Sequence, residues 1–170
     1  FDTGSTQHLL GTDQLGRDYL SRLLYGARVS LLIGSLTVII SGLIGITLGM
    51  LGGFFGGRID SVVMFIITCR LSVPLILVAL TVVALVGNSL LVLVLTLGLL
   101  LWERFAVVAR STTMQERRRD YVDAARASGA SLAVILLREV LPNILPHLVV
   151  VATLEMAIAI LLEASLSFLG

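Results

Sequence analysis

"RVSLLIGSLTVIISGLIGITLGML", residues 28–51, decides the fold class. After its leading arginine it runs to Leu51 without a charged side chain. A helix of that length measures about 35 Å, and the hydrocarbon core of a bilayer is roughly 30 Å thick. Backbone N–H and C=O groups in lipid must be satisfied within the segment, so the stretch reads as a membrane-spanning helix. Gly45, Gly49, Gly53 and Gly57 recur at every fourth position, with Gly42 close by. Such a ladder lets a second helix approach closely, so this helix is expected inside a bundle.

Three further stretches have the same character. "SVVMFIITCRLSVPLILVALTVVALV" (61–86) is interrupted by Arg70 and Pro74. "SLLVLVLTLGLLLW" continues into "ERFAVVA" (89–109), and "LPHLVVVATLEMAIAILLEASLSFL" (145–169) contains Glu155 and Glu163. The expectation is an all-α, polytopic membrane protein with three spans in 28–109 and a fourth in 145–169. Composition agrees: 57% of the 170 residues are hydrophobic and 14% are charged, whereas a soluble domain carries about a quarter charged residues. Before the first span, residues 8–27 read as an interfacial segment. Leu15, Tyr19, Leu23 and Leu24 share one face of it, and Asp13 is a candidate N-cap.

All twelve cations are arginine. Without lysine there is no P-loop and no Schiff base. Cys69, His8 and His147 are too few and too scattered for a disulfide framework or a zinc site. No serine stands in a nucleophile-elbow pattern. No catalytic, metal-binding or cofactor-binding residue is therefore assigned, and neither an intramembrane enzyme nor a nucleic-acid binder is expected.

Arginine distribution sets the expected topology. Arg104, Arg110, Arg117, Arg118, Arg119, Arg126 and Arg138 lie between the third and fourth spans, and Arg58 lies two crossings away on the same side. Arg17, Arg22 and Arg28 flank the first span on the other side. Eight against three places 110–142 in the cytoplasm by the positive-inside rule. Within that loop Tyr121 to Leu137 reads as one helix, with Asp120 able to cap it and Pro142 ending it before the next span. Ala124, Ala125 and Ser128 give it a nearly flat surface, followed by Gly129. A low-relief helix held between two membrane helices suits a groove on another protein.

Arg70, Glu155 and Glu163 lie within apolar stretches, where a charge costs about 2.5–3.5 kcal/mol on insertion scales. They are candidates for a pathway lining or for inter-helix ion pairs. Arg70 and Glu155 are the two that could pair with each other, and Glu163, near the end of its helix, is assigned a structural role.

Residues 123–142 carry a recognisable spacing: Asp123-Ala124-Ala125, three residues, Gly129, then Leu141-Pro142. This resembles the Glu-Ala-Ala signature of permease subunits of ABC importers, with Asp123 in place of the glutamate and Glu139 in place of an isoleucine. "LGTDQLGRDYLSRLLYGARVSLLIG" (10–34), "GGFFGGRIDSVVM" (52–64) and "LLEASLSFLG" (161–170) are similar to segments of the DppC/OppC-type permeases of dipeptide, oligopeptide and nickel importers. "TCRLSVP" (68–74) departs, with Arg70 where relatives often have aspartate.

The resemblance implies a type I importer (MetI-like) transmembrane domain, here a fragment lacking the first and last of six helices. It makes 110–142 a coupling loop, with Asp123, Ala124, Ala125, Ser128, Gly129, Leu141 and Pro142 coupling transport to a separate ATPase. It implies as partners a second homologous permease, two ATP-binding cassette subunits that bind the ATP, an extracytoplasmic binding protein and the lipid bilayer. The location would be a bacterial or archaeal inner membrane. Alternative readings are a permease for nickel or another small solute, and a non-transport membrane scaffold.

Overall fold

The computed structural model describes residues 9–12, 15–87 and 89–169; His8, Asp13 and Asn88 lie outside the described residues. The chain opens into α1 (Tyr19–Phe55), 37 residues long. Asp18 caps it, its carboxylate accepting the Ser21 N–H at 2.9 Å. Of the amphipathic opening, Tyr19–Ala27 is not a separate helix but forms the first turns of α1. Nothing there stops a helix once begun: there is no proline, and Gly26 stands alone.

Helices α2 (Gly57–Leu71) and α3 (Leu75–Val86) meet at a 72° bend. Pro74 explains the break, since it lacks an N–H and disfavours helical geometry in the residue before it. Next come α4 (Leu90–Leu100) and α5 (Glu103–Glu116), which together make an apolar rod of 27 residues. This rod continues about two turns beyond Ala109, where the sequence reading ended the third span.

The glycine ladder fixes how these rods lie. A Cβ on Gly45 would fall 2.6 Å from Phe105 Cβ, on Gly49 2.8 Å from Ala109 Cβ, and on Gly53 2.9 Å from Thr113 Cβ. Bare glycine instead lets α1 rest on the carbonyls of Trp102, Ala106 and Arg110 in turn. Each glycine precedes its carbonyl partner by 57 residues, so α1 and α4–α5 run parallel and in register. Gly57 does not belong to the ladder. It has φ 53°, starts α2, and has open space where a side chain would be.

Parallel rods decide whether the bent pair crosses the membrane. Chain leaving α1 at Phe55 must re-enter α4 opposite about residue 32 of α1. That is a climb of about 23 residues, or roughly 35 Å at about 1.5 Å each, a full hydrocarbon core. Helices α2 and α3 thus climb the depth of the bundle together, and counting the bent pair as one broken span gives four apolar helices long enough to cross a membrane among the described residues.

Beyond α5 the chain forms α6 (Asp120–Ala127), α7 (Leu132–Val134), a π-helical turn (Ile135–Val140) and α8 (Leu141–Leu169). The single helix expected over Tyr121–Leu137 is broken at Ser128–Ala130. Arg119, not Asp120, occupies the N-cap position of α6. Pro142 ends no helix, because the π turn leads directly into α8. Ile135 and Val140, five residues apart, are both buried, and that interval is the π turn's extra residue. The buried face then continues through Ile144, Leu148, Val151, Glu155 and Ala159. α8 packs antiparallel to α1: Ser30 donates to Glu163 at 3.2 Å, and Gly34 lies against Ile160. Outward faces stay apolar, with Leu43, Phe65, Leu91, Leu154 and Leu161 exposed, as suits side chains meeting lipid.

Candidate functional site

Helix α6 stands at the end of the bundle where α1 finishes. Val122 is its anchor, fully buried with Met50, Phe54, Ile135 and Val140. Asp123, Ala124, Arg126, Ala127, Ser128 and Gly129 are exposed. Ala125 departs from the expected flat surface: it is half-buried and packs against the core. The outward face is thus Ala124 with Ala127, Ser128 and Gly129.

Gly129 has a specific backbone task. Its φ is 79°; its N–H donates to Arg126 O at 3.0 Å, and the Ala130 N–H reaches back to Ala125 O at 3.1 Å. This pair of bonds is a Schellman motif, which needs a left-handed residue after the helix. Ser128 adds a third bond, its hydroxyl donating to Ala125 O at 2.9 Å. The small residues of the signature therefore stop α6 sharply as well as keeping its face low.

The arginines do more than orient the loop. Arg117 donates to Phe54 O at 3.0 Å, satisfying one of the carbonyls left open at the end of α1. Arg126 stands 5.1 Å above the Phe54 ring and lies 3.5 Å from Asp123. Tyr121 donates to Glu116 at 2.8 Å. Burial, and next the Glu116 carboxylate it bonds, push the Tyr121 phenol up to about 12, so it keeps its proton at neutral pH. Arg110 grips Asp60 through two nitrogens, with Nη2 to Oδ2 at 2.6 Å, and ties the start of α2 to α5. Leu141 is half-buried, packed on the same core as Val122, and Pro142 is exposed in the first turn of α8.

Val122, Phe54, Arg117 and Arg126 were not singled out from sequence as site residues. Val122 did carry a signal, being the lone aliphatic side chain in "RRRDYVD" (117–123). The expected isoleucine position holds Glu139, and the π turn gives its buried place to Val140.

Within the bundle, the expected Arg70–Glu155 pair is not formed. Arg70 donates to the carbonyls of Leu100 and Val73. Glu155, 1% exposed, pairs with Arg104 Nη1 at 3.1 Å. Arg104 is therefore a bundle residue rather than a loop arginine, which lowers the arginine asymmetry to seven against three. Beside it lies Glu103, also buried, which the sequence reading passed over.

Residues 45–170 match the family model described as binding-protein-dependent transport system inner membrane component. The di/tripeptide transport system permease protein DppC of Pseudomonas aeruginosa (strain UCBPP-PA14) is 42% identical over 98% of this chain and 55% of its own length. The glutathione transport system permease protein GsiD of Pectobacterium atrosepticum is 37% identical over 98% of this chain and 55% of its own. The chain spans about half the length of these curated relatives. The crystal structure of an amino acid ABC transporter with histidines shares the fold, with a TM-score of 0.54 over 90% of this chain and 77% of that chain, at 19% identity. The chain belongs to the binding-protein-dependent transport system inner membrane component family, on its DppC/OppC-type branch.

Proposed function

We propose that this chain is the membrane-spanning core of a permease subunit in an ATP-driven importer of di- and oligopeptides, set in a bacterial inner membrane with α6 on the cytoplasmic side. The observation that carries the reading is α6 itself. It is a short helix with an exposed face of small residues, closed by a Schellman cap and joined to α1 through Val122, Phe54 and Arg126. A partner seated on that face can move the end of a long membrane helix without first unfolding anything. The names of the relatives supply the solute class, and α6 supplies the means of coupling.

In this reading two ATP-binding cassette subunits bind and hydrolyse ATP, and one of them seats α6. A second homologous permease completes the pathway, and an extracytoplasmic binding protein delivers the peptide. This chain contributes no cofactor site. Reconstitution of the full-length subunit with these partners tests the proposal. Uptake of a radiolabelled dipeptide should require both ATP and the loaded binding protein. Uptake of nickel alone, or none of any solute, would reject the peptide reading.

A further inference from the structure

Two neighbouring helices are interrupted at one depth. The broken span bends at Ser72–Pro74, and the rod of α4 and α5 loses regular helix at Leu101–Trp102. By the register of α1 on α5, Leu100 lies about level with Leu43, near the middle of the crossing. Arg70 joins the two interruptions. Its guanidinium donates to the Leu100 carbonyl and, at 3.3 Å, to that of Val73. In unbroken helices Leu100 O would accept from the Arg104 N–H and Val73 O from the Leu77 N–H. Arg70 serves both carbonyls instead, beside the C-terminal ends of α2 and α4, where a cation is favoured.

On the α6 side of this level the helices are locked to one another. Gly45, Gly49 and Gly53 press α1 onto the backbone of α5, and Arg110 grips Asp60 near the start of α2, Nη2 to Oδ2 at 2.6 Å. Arg70 follows Asp60 by ten residues and Arg110 follows Leu100 by ten, so the two ties match along antiparallel helices. On the far side, α3 and α4 form a hairpin joined across residues 87–89 and packed on itself through Ala79, Val83, Leu93 and Leu97. It meets its surroundings through apolar side chains: Ile40 of α1 lies over Gly98, and Ala159 and Leu166 of α8 join its core. Among the described residues, the bond from Arg70 to Leu100 O is the one side-chain hydrogen bond between this hairpin and another helix.

We propose that α3 and α4 are a hinged flap that turns as a unit about Arg70, while α1, α2 and α5 stay fixed to one another. Side chains packed on side chains allow small sliding movements, whereas the glycine–carbonyl contacts of α1 on α5 leave little room for them. One planar guanidinium on both interruptions makes the two breaks turn together. The use of the flap rests on the importer reading. It lies on the side away from α6, where the binding protein delivers its solute, and it opens and closes that mouth of the pathway.

The test uses the complex containing the full-length subunit, in nanodiscs and a Cys69→Ser background, with spin labels on pairs of introduced cysteines. One pair joins the flap to α1, at Leu85 and Leu43, and the other joins α2 to α1, at Val62 and Leu43; all three positions are exposed. At rest the flap pair should give the broader distance distribution. Trapping with ATP and vanadate should shift the flap pair and leave the α2 pair in place. Equal widths at rest overturn the flap, as does a flap pair that shifts no more than the α2 pair in a complex that hydrolyses ATP. Arg70→Met removes the pin together with a charge that is costly at this depth, so membrane insertion should not suffer. It should broaden the flap pair further and raise the ATP hydrolysed per peptide imported severalfold, with Arg70→Lys in between. An unchanged flap pair in Arg70→Met overturns Arg70 as the pin. The widths at rest need no transport, so they separate the failures. A broad flap pair in a complex without peptide uptake removes the importer reading and keeps the flap, whereas uptake with equal widths removes the flap alone.

Discussion

The guanidinium of Arg126 stands 5.1 Å above the ring of Phe54, so the exposed helix and the end of α1 meet at one aromatic side chain. That contact, with Arg117 on the Phe54 carbonyl, makes Phe54 the narrowest point between α6 and the membrane helices. Cation–π contacts of this kind are worth about 0.5–1 kcal/mol when partly exposed. Phe54→Leu keeps an apolar side chain and removes the ring. It should lower ATP hydrolysis stimulated by loaded binding protein by a factor of about two to five, the equivalent of that energy. Arg118→Gln, at an exposed position of the same loop, should change it much less. Equal rates in the two variants would take Phe54 out of the route.

Ala124 and Gly129 should fail in different ways. Ala124→Trp puts a large side chain on the outward face, and stimulated hydrolysis and uptake should fall together while membrane insertion stays normal. Gly129 instead holds a φ of 79°. Gly129→Ala should loosen the end of α6 by about 1 kcal/mol, and Gly129→Asn by less. Amide hydrogen exchange at Ser128–Ala130 should speed up in the alanine variant and stay unchanged in Ala124→Trp. Slow exchange in Gly129→Ala would mean that the cap does not hold the helix end.

Gly49→Leu should disrupt the bundle more than Val62→Leu. At Gly49 a bare Cβ already meets Ala109 Cβ at 2.8 Å and the carbonyl row of α5, whereas Val62 is exposed. Recovery of monodisperse complex in mild detergent compares them directly. Equal yields would show that α1 and α5 can separate without cost.

Cysteines at Val86 and Ser128, in a Cys69→Ser background, should label from opposite faces of the membrane. The parallel register of α1 and α4–α5 requires the broken helix to cross completely. Labelling of both from one face would make α2–α3 a re-entrant loop and give three crossings.

The apolar runs made the membrane helices legible, because lipid requires long uninterrupted segments and leaves little room for alternatives. The spacing of the signature was equally plain, since alanine, glycine and proline mark helix faces and ends by their own geometry. Interruptions were read less well. Pro74 announced a break, but its 72° angle depends on packing. The π turn was hidden, because a five-residue interval between Ile135 and Val140 looks like an out-of-phase α-helix until the core is seen. Ion pairs were the least legible. Arg70 and Glu155 were candidates because both are charged within apolar stretches, yet Arg104 took Glu155 and Asp60 took Arg110 across helix pairs that no local spacing links.

The register of Gly45, Gly49 and Gly53 on the carbonyls of α5 has a mechanical consequence. Bare backbone is pressed there against the carbonyls and the Cβ atoms of Phe105, Ala109 and Thr113, a contact with little room to slide, so α1 and α5 hold together as one unit. The breaks in regular helix lie elsewhere, at Leu101–Trp102, at Ser72–Pro74 and at the π turn before Leu141. In the importer proposed above, a push on α6 would therefore bend the chain at those breaks rather than part α1 from α5.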